Sequence, residues 1–291
     1  MHLSARFNNT FLALLISLLI CSVQGGNLSE TELRRSLPAD TQLEFLEDRE
    51  GTFPKLTQLA VRAEPLGAIL LLTDTLSQQQ WLDQSQHLRI YLAEQGWLTL
   101  TLPLPIQPVR TDRDTDDSFA ERLDQHASQV TSRIESGLSS ITEERILIIA
   151  FGRSVEWAIR SLQNHNLQNN DPSIRLIMIN PRPANDQNPL SLLEAMAEIE
   201  STLIDLYKEP YPADQKAIPD ARMRRNTMVR AGHPDFHQQV IKDAIWGRES
   251  DWLKRQVRGL INTHIILADK RRETMTPEAM EVDERPPGIR R

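Results

Sequence analysis

Four arginines, Arg222, Arg224, Arg225 and Arg230, fall within nine residues, with Lys216 close by. Guanidinium groups at that density suit an anion: a carboxylate, a phosphate or a lipid headgroup. The plainer reading is a solvated helix face balanced by Asp214 and Asp220. A second group, His233-Pro234-Asp235-Phe236-His237, gathers two imidazoles and a carboxylate. A helical H-E-x-x-H zinc site needs glutamate where Pro234 stands, and Pro234 opposes the helix, so no metal is expected. The one cysteine, Cys21, excludes a disulfide framework, a cysteine-based zinc site and an iron–sulfur cluster. Eleven glycines form no G-x-G pair, which removes the dinucleotide fingerprint and the P-loop together. No cofactor is implied. A net charge of −7 argues against nucleic-acid binding driven by phosphate contacts.

The elements that must position such residues are readable from hydrophobic patterning. With 291 residues, 40% hydrophobic and 25% charged, the chain fits one globular domain with small appendages. Residues 1–25 read as a cleavable signal peptide: His2 and Arg6 precede the uncharged run FLALLISLLI, and cleavage after Gly25 removes Cys21. The run is too short for a permanent membrane anchor, so a periplasmic protein is expected. Residues 26–57 read as a helical or extended lead-in, opened by a capping box at Ser29-Glu30-Thr31-Glu32. Strands are expected at residues 58–64, 68–73, 97–102, 145–151, 174–180, 202–207 and 236–243. AILLLT and ILIIAF are near-continuous apolar runs, the mark of strands covered on both faces. Helical periodicity falls at residues 78–95, 119–138, 155–167, 190–199 and 251–264. This alternation implies right-handed crossovers and a mostly parallel sheet over residues 58–266. Residues 106–117 and 209–219 read as loops, and residues 267–291 as a disordered polar tail.

Taken in order, Leu88-Arg89, Leu92, Gly96-Trp97-Leu98-Thr99-Leu100, Leu102-Pro103, Ile179-Asn180-Pro181-Arg182, Asp205-Leu206-Tyr207, the Arg222–Arg225 cluster and Val257-Arg258-Gly259-Leu260 form a recognisable series. It resembles an uncharacterised family of exported bacterial α/β-hydrolase-like proteins, from about Leu43 to His264. The resemblance implies an α/β-hydrolase-like three-layer sandwich with a mostly parallel central sheet.

An active member of that fold needs a nucleophile on a sharp strand–helix turn, usually in G-x-S-x-G. The turn should follow RILIIAF, in Ala150-Phe151-Gly152-Arg153-Ser154-Val155-Glu156. In one register the bend is centred on Gly152, which has no side chain to attack anything. In the other it is centred on Ser154, with Glu156 in place of the closing glycine. Elbow sterics favour the first. The loop after the last strand, where a hydrolase histidine belongs, reads Ala244-Ile245-Trp246-Gly247-Arg248-Glu249 and has no histidine, and Trp246 could fill the pocket there. His237 lies within the expected last strand and His264 at the end of a helix. Asp205 could orient a histidine, or be a strand-end carboxylate bonded to nearby groups. The loop after AILLLT lacks a His-Gly pair, though backbone N–H groups of Thr73-Asp74-Thr75-Leu76 could still stabilise an oxyanion.

Two readings follow. In the first, this is a catalytically degenerate hydrolase-like protein acting by binding, as an envelope accessory factor. In the second, it is a divergent serine esterase using Ser154, with His237 or His264 as base and Asp205 as orienter. A third is an anion or lipid-headgroup binder through Arg222, Arg224, Arg225 and Arg230. No particular partner, substrate or oligomeric state is written in the sequence.

Overall fold

A computed structural model describes residues 30–48, 51–74, 80–169, 174–186, 188–208, 218–241 and 249–275. The expected signal peptide, most of the 209–219 loop and residues 244–248 with Trp246 fall outside these residues.

Helix α1 (Glu30–Ser36) precedes an antiparallel pair, β1 (Thr41–Asp48) and β2 (Gly51–Gln58). The chain then alternates through β3 (Ala68–Leu72), α2 (Gln80–Glu94), β4 (Leu98–Leu102), α3 (Asp116–Ser139), β5 (Ile146–Phe151) and α4 (Ser154–Asn169). It continues through β6 (Arg175–Ile179), α5 (Ser191–Glu198), β7 (Leu203–Lys208), α6 (Ala221–Ala231) and β8 (Phe236–Ile241). Helix α7 (Glu249–Ile261) runs through a π-helical turn (Asn262–Ile266) into α8 (Leu267–Met275).

The eight strands lie in the order β1-β2-β4-β3-β5-β6-β7-β8. Strands β3 to β8 are parallel, and β2 meets β4 antiparallel. The sandwich follows from the apolar runs. Every residue of β3 is buried, so both sheet faces must be covered. Leu70, Ile148 and Met178 point to one face, under Val130 and Ile134 of α3, Ile159 of α4, Met196 of α5 and Met228 of α6. Ile69, Ile149, Ile177 and Ile204 point to the other, under Leu88 and Leu92 of α2 and Val257 and Ile261 of α7. Each fully buried side chain of this size stabilises the fold by about 1.5–3 kcal/mol. The strand order reverses between β3 and β5. A ligand crevice in such sheets opens beyond the carboxyl ends at that reversal, and those two ends carry Asp74 and Gly152.

Two expectations are corrected. The sheet begins at Thr41, not at residue 58, and residues 59–64 form no strand. Leu59 and Val61, the apolar residues that suggested one, are 53% and 73% exposed. The strand is β2, which sends Phe53 and Leu56 inward; Pro54 sits where β2 pairs with β1 alone, on the stretch that β4 does not reach. Second, the tail expected to be disordered from residue 267 is helical to Met275, because Asp269 ties it to Arg145 and Arg175. Among the described residues no helix is long and apolar enough to cross a membrane.

Candidate functional site

At the end of β5 the chain bends at Gly152, whose φ of +56° lies in the left-handed region that favours glycine. Its N–H donates to the Ile179 carbonyl at 2.9 Å, and its own carbonyl accepts from the Arg182 N–H at 2.9 Å. A Cβ at this position would stand 2.1 Å from Asp74 Oδ2. The space a nucleophile would fill therefore holds the carboxylate of the residue two places beyond β3. Asp74 Oδ1 accepts from the Arg153 N–H at 3.0 Å, and the Asp74 N–H donates to Gln84 Oε1 at 2.8 Å. The oxyanion hole of this fold draws on the N–H after the nucleophile and on an N–H from the loop following β3. Here the first is bonded to a carboxylate, and Asp74's N–H in that loop to a carboxamide.

Ser154 opens α4 and is fully buried. Its Oγ accepts from the Phe151 N–H at 2.9 Å and lies 2.9 Å from the Leu72 and Phe151 carbonyls, to which it donates. The hydroxyl ties the end of β5 to the end of β3.

Asp205 lies in β7 on the face covered by α6. Arg224 grips it through Nε at 2.8 Å and its second terminal nitrogen at 3.2 Å, and Gln238 donates to it at 2.8 Å. Both ions of the pair are fully buried, and the guanidinium lies over the Tyr207 ring, 4.9 Å from its centroid. His237 pairs in register with Ile204, one residue from Asp205, and so faces the other side of the sheet. There its ring stacks on His264 with centroids 3.9 Å apart, and its Nε2 meets Asp235 Oδ1 at 2.8 Å. Burial, then the neighbouring His237, holds the His264 pKa below its ordinary value. For Asp235, burial raises the carboxyl pKa, but bonds from Thr202 and His237 and the charge of Arg272 outweigh it and leave a net lowering. Three strand spacings, about 14 Å, separate β8 from the β5 bend. Ser154, Asp205 and the two histidines thus occupy three separate places.

The arginine cluster divides in the same way. Arg224 is buried, while Arg222, Arg225 and Arg230 are exposed on α6, so the four do not form one anion site. Helical spacing turns Arg224 toward Asp205 and its neighbours outward. Among the described residues no group of three or more His, Cys, Asp or Glu side chains is arranged to hold a metal.

Two clefts flank the bend. One, of about 330 Å³, is bounded by Phe151, Ile179 and Leu206 at the strand ends, with Leu88, Trp252 and Lys208 around them. Asn180 beside it has φ +47°, held by its Oδ1 accepting the Lys208 N–H at 2.8 Å. The other, of about 620 Å³, lies between α3 and α4 on the opposite face. The sequence alone does not disclose the role of Asp74, whose loop reads there only as a source of backbone donors. The available signal was an acid placed just after β3, beside a bend centred on glycine.

A family described as proteins of unknown function, DUF3530, matches the chain over residues 23–118 and 108–263. No curated protein matches it. Among solved structures, an esterase of Pyrococcus furiosus is similar at TM-score 0.52 and 11% identity, over 81% of this chain and 96% of that one. Fungal esterase from Rhizomucor miehei is similar at TM-score 0.53 and 9% identity, over 78% and 84%. A protein described as a CIB-like hydrolase of Thermoplasma acidophilum is similar at 0.51 and 14%, over 76% and 98%. Identities this low establish the fold alone. The chain belongs to the DUF3530 family and has an α/β-hydrolase-like fold.

Proposed function

We propose that this is an exported, periplasmic α/β-hydrolase-like protein that has lost hydrolase chemistry and acts by binding, as an accessory factor of the cell envelope. One observation carries the reading: the Asp74 carboxylate rests against Gly152 and accepts the Arg153 N–H at 3.0 Å. An oxyanion forming at the bend would meet a fixed negative charge instead of free donors, the reverse of what acyl transfer needs. The bend also offers no nucleophile, and the buried Ser154 is bonded to backbone. The uncharged run at residues 11–20 supports export.

The test is a fluorophosphonate probe on the purified protein, with short acyl esters as substrates. The expected result is no labelling and no turnover. Labelling that disappears in Ser154→Ala would establish the esterase reading instead.

A second reading rests on α6. Its exposed Arg222, Arg225 and Arg230 share the surface with Val229, 72% exposed, and the helix contains no acid. That face suits an anionic lipid surface. Vesicles of phosphatidylglycerol should retain the protein, and reversing the three charges should release it. Equal retention of the variant disposes of the idea.

A further inference from the structure

The smaller cleft, of about 330 Å³, lies on the sheet face covered by α2 and α7, away from α3 and α4. Phe151 of β5, Ile179 of β6 and Leu206 of β7 line it, and the three pair in register. They therefore stand in a row on one face of the sheet. Leu88 of α2 and Trp252 and Leu253 of α7 line it from the helix side. Trp252 and Leu253 are only half-buried, at the edge of the core that the other four complete. Six apolar side chains around one cleft make a seat for an apolar group, which gains by leaving water.

Two carboxamides, Gln84 and Asn180, also line the cleft, and both are partly exposed. Gln84 Oε1 accepts the Asp74 N–H at 2.8 Å, and Asn180 Oδ1 accepts the Lys208 N–H at 2.8 Å. A backbone N–H only donates, so each amide oxygen is already engaged and the NH₂ is the group left for a ligand. Among the described residues neither NH₂ has a hydrogen-bond partner. Asn180 keeps this arrangement on a left-handed backbone, φ +47°, which residues with a side chain rarely adopt and which gathers at ligand sites. Asp83 and Lys208, of opposite charge, line the cleft as well and balance one another.

We propose that this cleft binds a single short acyl chain, the chain lying on the Phe151–Ile179–Leu206 row and an acyl oxygen accepting from the Asn180 NH₂. An acyl group joins an apolar chain to oxygens that accept, the two things that this lining can answer. An alkylammonium has the chain but brings only donors to two donors. A sugar or a phosphate would bury polar groups against six apolar side chains. The cleft stands at the small end of ligand sites, roughly 300–1,000 Å³, so it takes one chain and not a two-chain lipid. The proposal rests on the reading that the protein acts by binding, and it names the ligand class. The oxygen belongs to a free carboxylate or to an ester.

The experiment is a titration of the full chain, ¹⁵N-labelled, followed through its indole N–H resonances. The resonance missing from Trp252→Phe identifies Trp252, and Trp157, on the other face of the sheet, is the internal reference. The probes are sodium decanoate and 1-monodecanoylglycerol below their micelle concentrations, with decylammonium chloride and sodium acetate as controls. At least one acyl probe should move the Trp252 resonance saturably and leave Trp157 in place, and the controls should move neither. A response to decanoate alone assigns the site to free acids, and a response to the glyceride alone to esterified chains. Asn180→Gly keeps the left-handed backbone, removes the NH₂ and should weaken binding about fivefold to tenfold, the worth of one hydrogen bond. Should that variant fail to fold, Leu253→Asp sets a charge beside the chain and should weaken binding about tenfold or more. The proposal is overturned if neither acyl probe moves the Trp252 resonance, if decylammonium moves it equally, if the indoles all move together, or if either variant binds as tightly as the parent. Those outcomes leave the reading of the Gly152 bend standing. Fluorophosphonate labelling of Ser154 would instead sink that reading and leave acyl binding in place.

Discussion

Asp74 and Gly152 are matched as plug and socket: the carboxylate fits only because position 152 has no Cβ, which would lie 2.1 Å from Oδ2. Restoring a nucleophile there should therefore harm the fold before it helps any chemistry. Gly152→Ser adds both the clash and a left-handed backbone at a residue with a side chain, and should cost about 1–3 kcal/mol. Asp74→Ala in the same chain should return the part of that loss due to the clash and leave the part due to the left-handed backbone. Urea titrations of both single variants and the double give the coupling energy. Additive effects would mean that the two residues do not share the space.

The Asp205–Arg224 pair fixes α6 to the sheet from inside. Arg224→Met leaves a buried, half-answered carboxylate and should destabilise by about 3–5 kcal/mol. Asp205→Leu with Arg224→Met removes both charges and should cost clearly less than the single change. If Arg224→Met were nearly neutral in urea, the pair would be open to water in solution and Asp205 would be available to another partner.

Much of this was readable in advance. The apolar runs of β3 and β5 announce a sheet covered on both faces, while the sequence leaves the bend to Gly152 or Ser154, with elbow sterics favouring glycine. The pairing of Asp205 was not readable. Asp205 and His237 lie in neighbouring strands, and only the strand register tells that they face opposite sides. The helix at residues 221–231 has low average hydrophobicity, since its arginines mask the single buried stripe of Ala221, Arg224 and Met228. The β1–β2 hairpin hid for a similar reason. Proline and glycine interrupt β2, while the exposed Leu59 and Val61 just beyond it imitate a strand.

Acid should weaken this fold early. Burial is the leading cause of a lowered pKa for His126, His233 and His264. A histidine whose folded pKa lies below its unfolded value binds fewer protons when folded. The stabilisation is complete above the ordinary value near 6.5 and is lost as pH falls below it. The urea midpoint should thus decline from neutral pH towards about pH 5. His264→Gln, which removes one member of the stack against His237 and Asp235, should flatten part of that decline. A midpoint constant across the interval would show that these rings titrate as they do in the unfolded chain.

Among the described residues the last helix is tied down by ion pairs from two of its residues, Asp269 and Arg272, of which Arg272 donates to Asp235 Oδ2 at 3.1 Å. Asp269 Oδ2 accepts from Arg145 Nε at 3.1 Å, and Oδ1 accepts from Arg175 at 2.5 Å. Asp269 and Arg175 are each only 12% exposed, so solvent screens this pair far less than a surface ion pair. Arg145 also donates to the Leu66 carbonyl at 2.8 Å, which links the helix to the start of β3. Asp269→Ala leaves two guanidinium groups without their shared acceptor and should cost about 1.5–3 kcal/mol, the range for hydrogen bonds to charged groups. The loss should be local at first. Amide exchange in α8 should accelerate while β3 and β5, buried on both faces, keep their protection. If α8 exchanges no faster in Asp269→Ala, its attachment comes from the Arg272–Asp235 pair, the π-helical turn and Ile265 rather than from Asp269.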